Sequence, residues 1–237
     1  MSLNKSPGSD GLTVEFYKAF WDTLKEHYLN SINYSFANQS LTELQKQGLI
    51  SLIPKSGKDL ELLTNWRPIS LLNIDYKIAT KAVANRIKKI INKIISPNQT
   101  GFIKGRYIGE NVRLIQEVIA HLNNSNKPGL LIFVDFEKAF DSIDHTFIIR
   151  CLEHFNFGND LINWIKLFYT DIKGIMLNNG HLSDFIQIER GVRQGCPLSS
   201  LLFLICIEIL SNFIDTCPDI PGLNIDNSII RQSFFCR

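Results

Sequence analysis

Residues 130–141 constrain this chain more than any other stretch. Leu130-Leu131-Ile132-Phe133-Val134 is an unbroken apolar run, and it ends at once on the carboxylate of Asp135. Placed after Asn126-Lys127-Pro128-Gly129, it predicts a short buried strand. A charge at the end of such a strand is costly unless it opens on a cleft and meets a cation or donors. A rigid strand end is also a good mount for an acid aimed at a metal ion. Whatever else the chain folds into must cover this strand and complete the surroundings of Asp135.

The 237 residues suffice for one large domain or two small ones, and 45% hydrophobic with 20% charged residues is ordinary for a core-forming protein. The net charge of +2 hides an asymmetry. Residues 1–110 carry 15 Lys and Arg against 9 Asp and Glu, whereas residues 111–237 carry 10 against 14. A basic half beside an acidic half suits a polyanion on one side and a metal on the other. Chance clustering accounts for it about as well.

The five cysteines form no C-x-x-C pair and have no histidine at zinc spacing, so reduced thiols are expected rather than a disulfide framework. Met1 to Gly8 has no apolar core of a signal peptide, which points to an intracellular protein, nuclear or cytoplasmic. The most apolar stretch, residues 198–214, is interrupted by Glu208 and reads as a buried helix, not a membrane span.

Ser6-Pro7-Gly8-Ser9-Asp10-Gly11 is a turn-rich opening to a helix over residues 12–36, with Phe16, Ala19, Phe20, Leu24, Tyr28 and Ile32 as its inward stripe. Residues 48–54 form a strand candidate stopped by Pro54. The basic loop Lys55-Ser56-Gly57-Lys58-Asp59 follows and lacks the leading glycine and the Ser or Thr of a Walker loop. Residues 65–72 lead into a long helix, about 75–95. Lys77, Lys81, Arg86, Lys88, Lys89 and Lys93 crowd its outer side, a solvated face or a phosphate track.

A second basic loop, residues 99–106, precedes a helix over 110–123. Asp144 is a candidate cap for a helix through Phe155. Another helix covers 160–169. Residues 174–177 and 184–188 form a hairpin about Asn178-Asn179-Gly180. The glycine-bearing loop 190–197 feeds the apolar helix, with Pro197 suited to its first turn.

A strand-end carboxylate, a loop opening on a helix and a basic region are the parts of metal-assisted phosphate chemistry. Lys55 and Arg67 are candidate triphosphate ligands, Arg67 by bidentate geometry. Gly195 lets a backbone approach a ligand, and Gln194 offers both a donor and an acceptor.

These residues resemble a family. Phe133-Val134-Asp135-Phe136-Glu137-Lys138-Ala139-Phe140-Asp141-Ser142-Ile143 is similar to motif A of reverse transcriptases, and residues 190–200 to motif B. Residues 6–11 and Asn65-Trp66-Arg67-Pro68-Ile69-Ser70-Leu71-Leu72 resemble the fingers motifs of LINE-type (non-LTR) retrotransposons. Residues 97–106 resemble their next block.

The resemblance implies an α+β right-hand polymerase fold, helix-rich with a small antiparallel palm sheet. It divides the chain into a fingers-like region, 1–125, and a partial palm, 126–237, within one reverse transcriptase domain. It implies an RNA template, a DNA primer and deoxynucleoside triphosphates, with no membrane. The cofactor would be two Mg²⁺ ions, Mn²⁺ being the alternative.

By the same resemblance Asp135 binds both metals with help from the Phe136 carbonyl. Phe140 takes the sugar-gate position, Gln194 and Gly195 line the nucleotide pocket, and Lys55 and Arg67 hold the triphosphate. Asp141 reads as a helix-start acid, and Lys138 and Arg193 have no assigned role.

Motif C, with its Asp-Asp turn, has no counterpart: no Asp-Asp pair occurs in the sequence, and Asp215, Asp219 and Asp226 each stand alone. The expectation is a chain with the family's fold elements but an incomplete active site. A group II intron-type enzyme and a non-catalytic nucleic-acid-binding remnant remain open as alternatives.

Overall fold

The computed structural model describes residues 1–225 and 228–234; Asp226 and Cys236 lie outside them. The opening helix divides at Phe20 into α1 (Val14–Ala19) and α2 (Trp21–Ala37). Leu24, Tyr28 and Ile32 do turn inward, whereas Ala19 and Phe20 are exposed at the break. Thr42 and Gln45 close a reciprocal capping box on α3 (Glu43–Lys46), which runs straight into β1 (Gln47–Pro54).

Residues 66–72 form a strand, β2 (Trp66–Leu72), which hairpin spacing did not reveal because a structured loop of residues 55–65 separates it from β1. β1 and β2 pair antiparallel from Gly48 opposite Leu72 to Pro54 opposite Trp66. Pro68 is tolerated because β2 lies at the edge of its sheet.

The long helix is two pieces, α4 (Ile74–Lys88) and α5 (Ile91–Ile94). Ile87, Ile91 and Ile95 face inward, and Ile90 is left exposed at the joint. α6 (Ile108–Ser125) follows, ended by Asn126 at φ 49°.

The expected strand at 130–136 is absent. That segment has no regular structure, and Leu130, Phe133 and Val134 are 86%, 77% and 72% exposed. A strand needs a ladder, and none of the described strands runs beside it. Apolarity of the run was the basis for expecting a buried strand, but the partner is a non-local matter.

Past it come α7 (Ala139–Ser142), α8 (His145–His154) and α9 (Asn159–Tyr169). Asp144 caps α8 as expected, accepting the Phe147 N–H at 3.0 Å. The hairpin forms too: β3 (Lys173–Asn178) turns through Asn179 and Gly180, at φ 49° and 81°, into β4 (His181–Leu182). β5 (Ile186–Gln187) pairs with β3 as well.

The expected small antiparallel sheet is instead a mixed five-stranded one. β1 lies between β2 and β3 and runs parallel to β3, from Gln47 opposite Lys173 to Ser51 opposite Leu177. The sheet thus joins residues from both sides of position 125. α10 (Ser199–Thr216) begins two residues later than a first-position Pro197 would suggest, with Leu198 as its cap and Pro197 just before it. β6 (Leu223–Ile225) and β7 (Ser228–Ile230) form a separate antiparallel pair.

One core cluster holds these elements together. Leu201, Leu202 and Ile205 of α10 pack with Tyr76, Ala84 and Ile87 of α4, Leu152 of α8, and Ile165 and Phe168 of α9. Each buried Leu, Ile or Phe among them contributes about 2 kcal/mol by leaving water. Among the described residues α10 is apolar and long enough to cross a membrane, yet 50% of that window is buried in protein. Its Glu208 accepts the Ser96 N–H at 2.9 Å.

Candidate active site

The end of motif A and the start of motif B are stitched together by backbone. Val192 N–H donates to Phe140 O and Gly191 N–H to Ile143 O, both at 2.7 Å, and Asp144 bridges Arg190 antiparallel. His145 Nε2 lies 2.9 Å from the Gly191 carbonyl oxygen, which makes Nε2 the donor. Gly191 is required here. Its φ is +84°, and a Cβ would sit 2.8 Å from Asp141 Cα.

The next residues carry the loop onto β2. Ser70 N–H donates to Gln194 O at 3.0 Å. Gly195, at φ +106°, passes so close that a Cβ would lie 2.6 Å from Ser70 O. The Gln194 amide Nε2 donates to Asp141 Oδ1 at 2.9 Å. Ser199 Oγ and Cys196 N–H both donate to Arg193 O, at 2.7 and 3.0 Å, and so fix the loop to the start of α10.

Phe140 is held on two sides. It stacks on Phe203 of α10 with centroids 4.7 Å apart and planes at 12°, and Phe102 meets it edge-on at 5.9 Å and 80°. Phe102 has φ +56°, an uncommon backbone state for an aromatic residue, and its ring is 45% exposed. The loop bearing it is secured by Gly101 N–H donating to Gln99 Oε1 at 2.8 Å. Thr100 N–H and Asn98 O pair with Phe234, and Arg106 donates to the Ile95, Ser96 and Gln99 carbonyls.

Of the expected site residues, the structure brings together Phe140, Gln194 and Gly195. Asp135 and Phe136 sit on the exposed segment before α7, and among the described residues neither side chain hydrogen-bonds to that loop; the carboxylate that meets Gln194 is Asp141. Lys55 folds back on its own loop, with Nζ donating to Thr64 O at 2.8 Å. Arg67 is exposed on β2 opposite Ile53 and, among the described residues, has no hydrogen bond or ion pair.

Sequence reasoning missed Ser70 and the pairing role of Asp141. The signal for Asp141 was a second aspartate six residues after the first, at the start of a short helix.

Among the described residues no three His, Cys, Asp or Glu side chains converge as metal ligands. One exposed carboxylate at Asp135 does not fit the expected two Mg²⁺ ions, whose charge and coordination need several oxygen ligands.

Residues 53–231 match the family described as "Reverse transcriptase (RNA-dependent DNA polymerase)". The chain belongs to that family. Within it the chain is of the kind found in non-LTR retrotransposons, as its relatives show. It is 39% identical over 208 residues to the Transposon TX1 uncharacterized 149 kDa protein of Xenopus laevis, covering 88% of this chain and 16% of that protein. Identity is 28% over 218 residues to the Pol polyprotein of retrotransposable element R2 from Popillia japonica, 92% of this chain and 30% of the relative. For the element R2DM polyprotein of Drosophila melanogaster it is 24% over 235 residues, 99% and 21%. The chain therefore spans less than a third of the length of these relatives.

Proposed function

We propose that the chain supplies the template- and nucleotide-handling part of an RNA-directed DNA polymerase, as fingers (1–125) and a partial right-hand palm (126–237). The observation that carries this is the junction of motifs A and B. Phe140, wedged between Phe102 and Phe203, lies one residue from the acid that fixes Gln194. A bulky ring at that place would clash with a ribose 2′-OH and so select deoxynucleotides.

The basic face of α4 and Arg67 suit an RNA template, a DNA primer and a triphosphate. Divalent ions, Mg²⁺ foremost, are the family's cofactors. The resemblance assigns Asp135 and the Phe136 carbonyl to such ions, which need further oxygen ligands beside that one exposed carboxylate.

The 237-residue chain should bind an RNA–DNA primer–template in a salt-dependent way and bind deoxynucleoside triphosphate, yet incorporate none. Primer extension with Mg²⁺ or Mn²⁺ tests this. Incorporation abolished by Asp135→Asn would overturn the incomplete-site part and establish the polymerase; no binding of primer–template at low salt would sink the whole reading. The non-catalytic remnant is the second reading, favoured by the solitary exposure of Asp135.

A further inference from the structure

Arg193 is 3% exposed, and among the described residues no carboxylate pairs with it. Its Nη2 donates to Lys46 O at 3.1 Å, and its guanidinium carbon lies 4.9 Å from the centre of the Tyr76 ring. Among the described residues Nε and Nη1 have no acceptor. A buried cation with two idle donors and no counter-charge is a costly way to fill a core. The fold has nonetheless made room for it: a Cβ on Gly48 would sit 2.7 Å from Nη2.

We propose that Arg193 is a positioning residue for the nucleotide loop, retained for the site rather than for stability. Its side chain anchors the loop to the end of α3 and to α4, and its backbone delivers the following two residues to β2 and motif A. The anchor stands on geometry alone; its consequence for nucleotide rests on the function proposed above.

The connection is short. Lys46 O and the Tyr76 ring fix the guanidinium from two sides. The next residue, Gln194, presents its carbonyl to Ser70 N–H and its amide to Asp141. Lysine cannot reproduce the hold, because it lacks the planar face that lies over an aromatic ring. Methionine matches the apolar stem of arginine and lacks both the guanidinium and its charge. It removes the burial cost and releases the anchor together, so stability and loop order should move in opposite directions.

The test uses the 237-residue chain, with Arg193→Met, Arg193→Lys and Gly48→Ala beside wild type. Hydrogen exchange at the Ser70 amide reports whether the loop is docked, thermal melting reports the fold, and titration with fluorescently labelled dTTP and Mg²⁺ reports the pocket. Arg193→Met should melt at or above the wild-type temperature while Ser70 exchanges at least tenfold faster, with Arg193→Lys in between. Gly48→Ala keeps the charge but displaces it, and should loosen Ser70 as well.

Unchanged Ser70 protection in Arg193→Met or Gly48→Ala overturns the anchor. So does a lower melting temperature with faster exchange throughout, since that is what a purely structural residue would give. If the exchange pattern holds while wild type binds no labelled dTTP, the nucleotide half falls with the proposed function and the anchor survives.

Discussion

Gln194 reaches Asp141, not Asp135: its Nε2 donates to Asp141 Oδ1 at 2.9 Å, across the seam where motif B joins motif A. The two aspartates of the motif-A stretch thus have different surroundings. Asp135 stands free on an exposed segment, while Asp141 fixes an amide in place. Asp141→Ala should loosen Gln194 and cost about 1 kcal/mol, the worth of a hydrogen bond to a charged but exposed partner. Asp141→Asn keeps an acceptor and should cost less. Urea denaturation midpoints measure both, and equal losses would show that the bond itself is unimportant.

Gly195 and Gly191 are the tight points of the seam. Each has positive φ and would press a Cβ against backbone that cannot swing aside, Ser70 O in one case and Asp141 in the other. Alanine at either should cost roughly 1–3 kcal/mol from strain and displaced contacts. Gly158, the N-cap of α9, provides the comparison: a Cβ there meets nothing within 4 Å, so Gly158→Ala should cost only the cap preference, about 0.5–1 kcal/mol. Comparable losses at all three would discount the close approaches.

Elements were legible where their signals were local. Asp144 capping α8, the Asn179-Gly180 turn and the apolar length of α10 each depend on neighbours a few residues away. β2 was hidden because its partner lies beyond the 55–65 loop, and residues 65–72 read only as the approach to the long helix. Residues 130–136 failed the other way: their apolarity was unmistakable, but a strand depends on what lies alongside. In the site, Phe140, Gln194 and Gly195 were visible as motif positions, whereas the Asp141 and Ser70 contacts exist only once the loop folds against β2.

Glu208 gives a pH signature. Among the described residues its Oε2 has no hydrogen-bond partner, and burial pushes its carboxyl above the usual range, against the pull of the Ser96 N–H and Arg106. A raised carboxyl takes up a proton on folding. The penalty for its ionised form is therefore fully present above the folded pKa and disappears as pH falls below the unfolded value near 4.5. Glu208→Gln keeps an acceptor for Ser96 and should be more stable than wild type near neutrality. That gap should close as the pH approaches 4.5. A gap of constant size across the range would mean that titration of Glu208 is not its source.

The segment 130–136 and the outer face of α6 leave apolar side chains in water together. Ile108, Val112 and Ile119 are 40%, 52% and 46% exposed on α6, and Gly129 lies against Leu122 of the same helix. Each large side chain so exposed forgoes about 2 kcal/mol that burial would return. Contiguous apolar surface of this kind drives association, and an unpaired extended backbone offers a template for strand addition. The chain should therefore self-associate as its concentration rises and bind hydrophobic dyes while folded. Phe133→Lys with Ile119→Lys should reduce both without lowering the melting temperature, since neither ring nor chain is packed in the core. Sedimentation velocity across roughly a hundredfold concentration range decides it: a wild-type chain that stays monomeric throughout would show that this surface does not associate.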